Sequence, residues 1–298
     1  SVTNTPKGST YFRPKKTGAM EVSSKKDLLL YIFMNLPMYL TLAVLIWKLT
    51  DKMHWLPPLA AYSGYGLLTI LYLYQTWKVI QVNKPILTEQ PPELLRYSFS
   101  QVAILNLCYL LTFGTELAVV SMLPLFYVDH FDLDPILAGL LAGIYPVINL
   151  FARPAGGWLS DKIGRKITLV IATLGISATF LSLGQFTSDW PLWVVVTGTI
   201  IGGIFSKGGS GAVYAMVPLI QRRMTGQIAG MTGAFGNIGG VMFLTVLSFV
   251  APGTFFMVIG AMGLTTLILV TLVLKEPKGQ MAEIMPDGTV HMIDISKD

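Results

Sequence analysis

From residue 98 to residue 274 the chain passes through six apolar runs, 98–128, 135–157, 167–187, 190–220, 227–250 and 254–274, separated by short loops, most of them charged. Each run is about as long as, or longer than, the ~20 residues with which a helix crosses the hydrocarbon core of a bilayer. In lipid the backbone must satisfy its own hydrogen bonds, so such runs are helices, and the fold class is an all-α polytopic membrane protein. Two further apolar runs, about 28–49 and 55–77, precede them as a hairpin around Asp51 to His54. Pro37 in the first of these is a place for a kink or a re-entrant segment. Composition agrees with this class: hydrophobic residues make up 53% of the chain and charged residues 12%, with a mean hydropathy of +0.61.

These runs predict five regions. Residues 1–27 are a basic cytoplasmic segment, 28–80 an apolar hairpin of two candidate membrane helices, and 81–97 a cytoplasmic linker containing Pro85, Pro91 and Pro92. Residues 98–274 form a six-helix bundle, and 275–298 a mixed-charge, solvated cytoplasmic tail. The loop with Asp129, Asp132 and Asp134 alternates with the basic loops DKIGRK and QRRMTGQ, which places the basic loops and the KEPK tail inside the cell. The net charge of +5 lies mostly in these short connections, so the expected partner is the lipid bilayer and no nucleic acid is required. Cys108 is the single cysteine, and His54, His130 and His291 are far apart, so no disulfide, metal site or cofactor is expected. The chain begins at Ser1 with no signal-peptide pattern and reads as the later part of a longer protein.

The few polar groups inside the runs carry the functional information. Arg153 sits in NLFARPAGGWLSDKIGRK, about two helical turns inside an apolar segment. There it either meets a counter-charge, a cavity or an anionic ligand, or snorkels to the interface and pairs with Asp161. Tyr109, Phe113 and Glu116 are spaced by four and three residues, on one helical face. Glu116 is the acid within that span, and a buried carboxylate in a carrier is a proton relay or a structural partner for a cation. Lys207, in GGIFSKGGSGA, can pair with Glu116 or attract an anion. Gly226, Gly230, Gly233, Asn237 and Gly240 form a smooth stripe, which ordinarily means close helix packing. The Asn237 amide and the Arg153 guanidinium are both donors suited to an oxyanion. Six helices after a linker suggest half of a twelve-helix carrier whose site lies between two halves.

ARPAGGWLSDKIGRK resembles the loop signature GG-x-x-SD-x-x-GR-[KR] of the major facilitator superfamily. GQIAGMTGAFGNIGG resembles the second nitrate signature of the nitrate/nitrite porter family, and NLFARPAGG and FGTELAVV resemble its eighth and seventh helices. The likeness covers residues 98–277 and is nearest to the cyanobacterial nitrate permeases and the related plant high-affinity carriers. It implies a secondary transporter, not an enzyme, that imports nitrate and possibly nitrite across the plasma membrane by alternating access. On this resemblance Arg153, Tyr109, Asn237, Gly233 and Gly236 line the substrate, and Glu116 is the proton-coupling candidate. Gly157, Asp161, Gly164 and Arg165 form a conformational latch. The partners implied are nitrate or nitrite, protons and the missing N-terminal half, which holds the family's other substrate arginine. The run pair before residue 80 exceeds what the family's pattern leads one to expect there. The alternatives are a nitrate/nitrite exchanger, which has no need of an acid such as Glu116, and a major facilitator carrier for another small anion. A membrane enzyme or sensor is a third class, and the sequence has no phosphate-cradling Gly-Lys motif, paired carboxylates or His/Cys cluster to support it.

Overall fold

A computed structural model of the chain describes residues 19–88, 96–187, 189–278, 280–284 and 290–294. Its helices are α1 (Lys25–Trp47), α2 (Pro58–Val82), α3 (Lys84–Thr88), α4 (Phe99–Phe131), α5 (Pro135–Val147), α6 (Asn149–Ile163), α7 (Arg165–Leu183), α8 (Leu192–Met216), α9 (Thr225–Leu247) and α10 (Pro252–Val273). Two strands follow, β1 (Gln280–Ile284) and β2 (Val290–Asp294), paired antiparallel with Gln280 opposite Asp294. Seven helical stretches among the described residues are long and apolar enough to cross a membrane, and six of them correspond to the six runs of the bundle. The seventh is α1 with the π turn Lys48–Lys52 that continues it. The chain divides into two compact units, one of residues 1–103, 218–228 and 277–298, the other of residues 104–217 and 229–276.

In the second unit the run expected at 135–157 extends to Ile163 and is interrupted at Ile148, giving α5 and α6. Pro146, two residues before the break, has no amide hydrogen to give to the helix ladder. Arg153 consequently lies in the second turn of a fresh helix, well before the charged loop. Asp134 opens α5 by accepting hydrogen bonds from the backbone of Ile136 and Leu137, a structural use for one acid of the DHFDLD loop. One end of the unit is closed by aromatic rings. Phe126 of α4 packs edge-on to Phe186 and Phe256 at 5.2 and 5.8 Å, beside buried Tyr127, Phe180, Phe243 and Phe255.

Two helix crossings set the frame of the bundle. A Cβ on Gly156 of α6 would lie 2.0 Å from the carbonyl oxygen of Gly208 in α8, and one on Gly211 would lie 2.0 Å from the carbonyl oxygen of Arg153. Likewise a Cβ on Gly239 of α9 would meet the carbonyl of Leu110 in α4 at 2.2 Å. Only glycine lets these backbones touch, and in lipid such contact is a principal source of helix association. Gly226 and Gly230, by contrast, face open space. The predicted stripe therefore divides. Of its members Gly240 packs on α4, together with Gly236 and Gly239 from outside the stripe, Gly233 faces the Tyr214 hydroxyl, and a Cβ on Gly226 or Gly230 would meet nothing within 4 Å.

The turn between α6 and α7 is capped from the end of the bundle. Glu276, in the KEPK sequence, accepts hydrogen bonds from the backbone amides of Arg165 and Lys166 at 2.9 and 2.7 Å. A carboxylate at the N-terminus of α7 satisfies orphan amides and faces the positive end of the helix dipole. Gly164 enters this turn at φ 107°, a backbone conformation that a side chain would strain. The same contact joins the end of α10 to the α6–α7 turn.

In the first unit α1 and α2 pack together as a hairpin, and α1 runs through Pro37 without a break. The second arm differs from expectation: α2 spans 25 residues but is not among the seven stretches apolar enough to cross. Its Gln, Ser, Thr and Tyr residues dilute its hydropathy. The expected polar segment before α1 also buries side chains, since Ala19, Met20 and Val22 are all inaccessible. Asn83 ties it down by accepting from the Val22 amide and donating to the Met20 carbonyl. Tyr97 donates its hydroxyl to the Glu21 carbonyl, and burial pushes that phenol far above its ordinary range. Arg223 pairs with the Glu21 carboxylate. The tail forms the β1–β2 hairpin, with β1 beside Arg222–Met224. The remainder of the expected basic segment, 1–18, and residues 89–95 of the Pro-rich linker lie outside the described residues.

Two stability tests follow from these contacts. Gly156→Val should cost ~3 kcal/mol through overpacking and lower the thermal unfolding midpoint in detergent, whereas Gly230→Ala should leave it unchanged. Glu276→Ala removes both capping bonds and should cost about 1 kcal/mol, read as a smaller downward shift of the same midpoint.

Candidate functional site

The charged groups inside the second unit meet at one place. α4 presents Tyr109, Phe113 and Glu116 on a common face, and α6 presents Asn149 and Arg153 four residues apart on another. Glu116 Oε2 accepts from the Arg153 guanidinium at 3.2 Å, and Oε1 accepts from Asn149 Nδ2 at 3.0 Å. Of the two readings that the sequence left for Arg153, this geometry selects a buried counter-charge; Asp161 pairs instead with Arg165, at 3.0 Å. Asn149 was not singled out from sequence, although its place one turn before Arg153 on the same helix is the signal that it shares a target.

Aromatic rings flank the pair. The Arg153 guanidinium carbon lies 5.5 Å from the centroid of Phe113, within cation–π range. Phe113 stacks on Tyr109, with centroids 5.1 Å apart and planes 5° from parallel, and Tyr109 meets Tyr214 edge-on at 4.9 Å. Gly236 is what allows Tyr109 to lie flat on α9, since a Cβ there would sit 2.5 Å from the ring. Gly233 plays a similar part against Tyr214, whose hydroxyl would be 3.1 Å from an added Cβ. Thus Tyr109, Gly236 and Gly233 are brought to one patch that continues from the ion pair.

The two charges are unequally covered. The Arg153 side chain is 33% exposed and that of Glu116 only 10%, so the guanidinium keeps an open side while its partner is enclosed. A guanidinium has five N–H donors in a planar fork, and the bond to Glu116 leaves others unused. Chemically the cluster can hold a small planar oxyanion, provided that the carboxylate yields its place.

Asn237 stands apart. It is exposed, its amide donates to the Gly233 carbonyl of its own helix, and no hydrogen bond among the described residues joins it to the Arg153–Glu116 pair. The latch candidates also separate: Asp161, Gly164 and Arg165 make the capped turn, while the tight backbone contact of the Gly pair falls on Gly156 rather than Gly157. Glu276 completes that turn and was missed, because it is 111 residues from Arg165 in sequence. Among the described residues no group of His, Cys, Asp and Glu could hold a metal ion.

Comparison with known proteins agrees with this architecture. The Major Facilitator Superfamily model matches residues 105–288. A "Nitrate/nitrite transporter NrtP" of Picosynechococcus is 43% identical, over 95% of this chain and 56% of its own length. Its namesake in Nostoc punctiforme is 40% identical, over 95% and 57%. "High affinity nitrate transporter 2.5" of Arabidopsis thaliana is 33% identical, over 51% and 31%. The chain thus spans a little over half the length of the cyanobacterial relatives. Coverage of 95% of the chain leaves too few residues outside the match to exclude the α1–α2 pair, so that hairpin is no departure from these relatives. The seven apolar stretches and these likenesses make the chain a multi-pass protein of the plasma membrane, in a family of transporters and not of enzymes. The chain belongs to the Major Facilitator Superfamily, and it is similar to these nitrate/nitrite transporters over nearly its whole length.

Proposed function

We propose that the full-length protein imports nitrate, and nitrite as a second substrate, by alternating access coupled to protons, with Arg153 and Glu116 as one wall of the site. The reading rests on the ion pair between them. An anion and a carboxylate compete for the same guanidinium, so nitrate binds Arg153 well only when Glu116 gives up its charge or its position. A proton on Glu116 does the first. Proton and nitrate then enter together, and the cluster carries the same net charge loaded as empty.

The energetics support such coupling. Moving one negative charge inward against the membrane potential costs about 2.3 kcal/mol per 100 mV, and accompanying protons offset that cost. Nitrate is flat and weakly hydrated, so a guanidinium fork and the rings of Phe113 and Tyr109 suit it without a metal. Asn149 holds Glu116 in reach of Arg153 and would retain the acid as a hydrogen-bonded neutral group after protonation. The capped turn with Asp161, Gly164, Arg165 and Glu276, and the neighbouring Gly157, serve as a cytoplasmic latch that stabilises one conformer. The N-terminal half supplies the facing wall.

Nitrate uptake into proteoliposomes by the full-length protein tests this. Arg153→Lys should lower uptake at least about a hundredfold, because a point charge replaces the planar fork. Glu116→Gln should retain uptake and lose its dependence on an imposed pH gradient. Uptake by Arg153→Lys at the wild-type rate would refute the site. A Glu116→Gln protein whose transport still follows the pH gradient would refute Glu116 as the coupling group.

A further inference from the structure

Lys207 of α8 is completely buried, and its ammonium has no hydrogen-bond partner among the described residues. The Nζ lies 3.5 Å from the centroid of the Tyr145 ring, over its face. A ring face attracts a desolvated cation, but by less than burying the charge costs. A buried cation in a membrane helix calls for an anionic partner, and no carboxylate among the described residues is bonded to it.

The surrounding contacts show what Lys207 is next to. Ser206 donates to the Thr112 carbonyl at 3.0 Å, and Ser210 to the Thr112 hydroxyl at 3.0 Å. Thr112 is one helical turn before Glu116 on the same face of α4. On the other side of α8, Gly208 and Gly211 touch the backbone of α6 at Gly156 and Arg153. From α5 the ring of Tyr145 covers the ammonium, and from α7 Ala172 packs on Gly209. Lys207 is therefore bracketed by the helices of the ion pair, and Glu116 and Arg153 are the charged groups near enough to act on it. The cluster holds two cations and one carboxylate. It is one anion short.

Resting on the nitrate reading above, we propose that Lys207 is a third member of the anion site, the uncompensated charge that draws the substrate to Arg153 and helps to displace Glu116. Arg153 by itself is neutralised by its partner and offers an incoming anion little net attraction. Lys207 supplies that attraction through a dry core, where charges act over longer range than in water. It touches Tyr145 and not the anion, so it acts as a positioning residue.

The test is nitrate transport by the full-length protein in proteoliposomes, with KM and maximal rate measured separately. Lys207→Met keeps the volume and removes the charge, leaving the cluster neutral. It should raise KM about tenfold or more while changing the maximal rate less. Adding Glu116→Gln to Lys207→Met restores a net charge of one and should bring KM back to within about threefold of wild type, although each change alone disturbs the site. A merely structural lysine would give neither the split nor the rescue. A wild-type KM for Lys207→Met, or a double variant no better than Lys207→Met, overturns the inference. If Lys207→Met does not assemble, the double variant is compared with Glu116→Gln alone, and an equal KM for the two overturns it. Arg153→Lys in the same series separates the two readings. Normal uptake by Arg153→Lys refutes the anion site as a whole, whereas its loss beside an unaffected Lys207→Met refutes only the role given to Lys207.

Discussion

The bond between Arg153 and Glu116 is the interaction on which the rest of the bundle depends. Each group would be costly by itself in the membrane, and breaking a buried pair by removing one partner typically costs ~3–5 kcal/mol. Their meeting requires α4 and α6 to be held at a fixed height and rotation. The backbone contacts of α6 with α8 and of α4 with α9 provide this, the first through Gly156, Gly208 and Gly211, the second through Gly239. Thr112 closes the arrangement by accepting two hydrogen bonds from α8 one turn from Glu116. The small residues are thus the means by which Arg153 and Glu116 come to meet.

That geometry also determines what the pair can do. A carboxylate enclosed more fully than its guanidinium leaves the cation with an open side, so a ligand can reach Arg153 without first exposing Glu116. The aromatic stack of Phe113 on Tyr109 extends the open side as a flat wall. The remaining structure separates two kinds of rigidity. Packed rings near the ends of α4, α7 and α10 close one end of the second unit, whereas the turn at the other end is held by the Glu276 carboxylate on two backbone amides. Hydrogen bonds to a turn can be exchanged with water in a conformational change more readily than interlocked rings can be unpacked.

Much of this was legible beforehand. Run length gave the six spans, because a helix in lipid has a minimum length and tolerates few charges. The four-and-three spacing of Tyr109, Phe113 and Glu116 gave their common face, since helical periodicity is a local property. Other features were not legible. α2 has the length of a span, yet its mixed polarity removes it from the apolar set. The tail reads as mixed charge, yet it pairs as a β-hairpin, and Ala19, Met20 and Val22 are buried in a segment bonded to Asn83 and Tyr97 more than 60 residues away. The glycine stripe on α9 divides according to which neighbour each residue meets, and periodicity does not report neighbours.

By itself the sequence determined the membrane class, the six spans of the bundle and the presence of Glu116, Arg153 and Lys207 inside apolar helices. These follow from transfer free energies and helical period, which act along the chain. Only the tertiary structure decided the partners: Glu116 with Arg153 and Asn149, Lys207 with the Tyr145 ring, Glu276 with the start of α7, and Gly156 rather than Gly157 at the helix crossing. Pairing depends on how far and at what rotation two helices approach. That is set by contacts between residues remote in sequence, to which no local pattern responds.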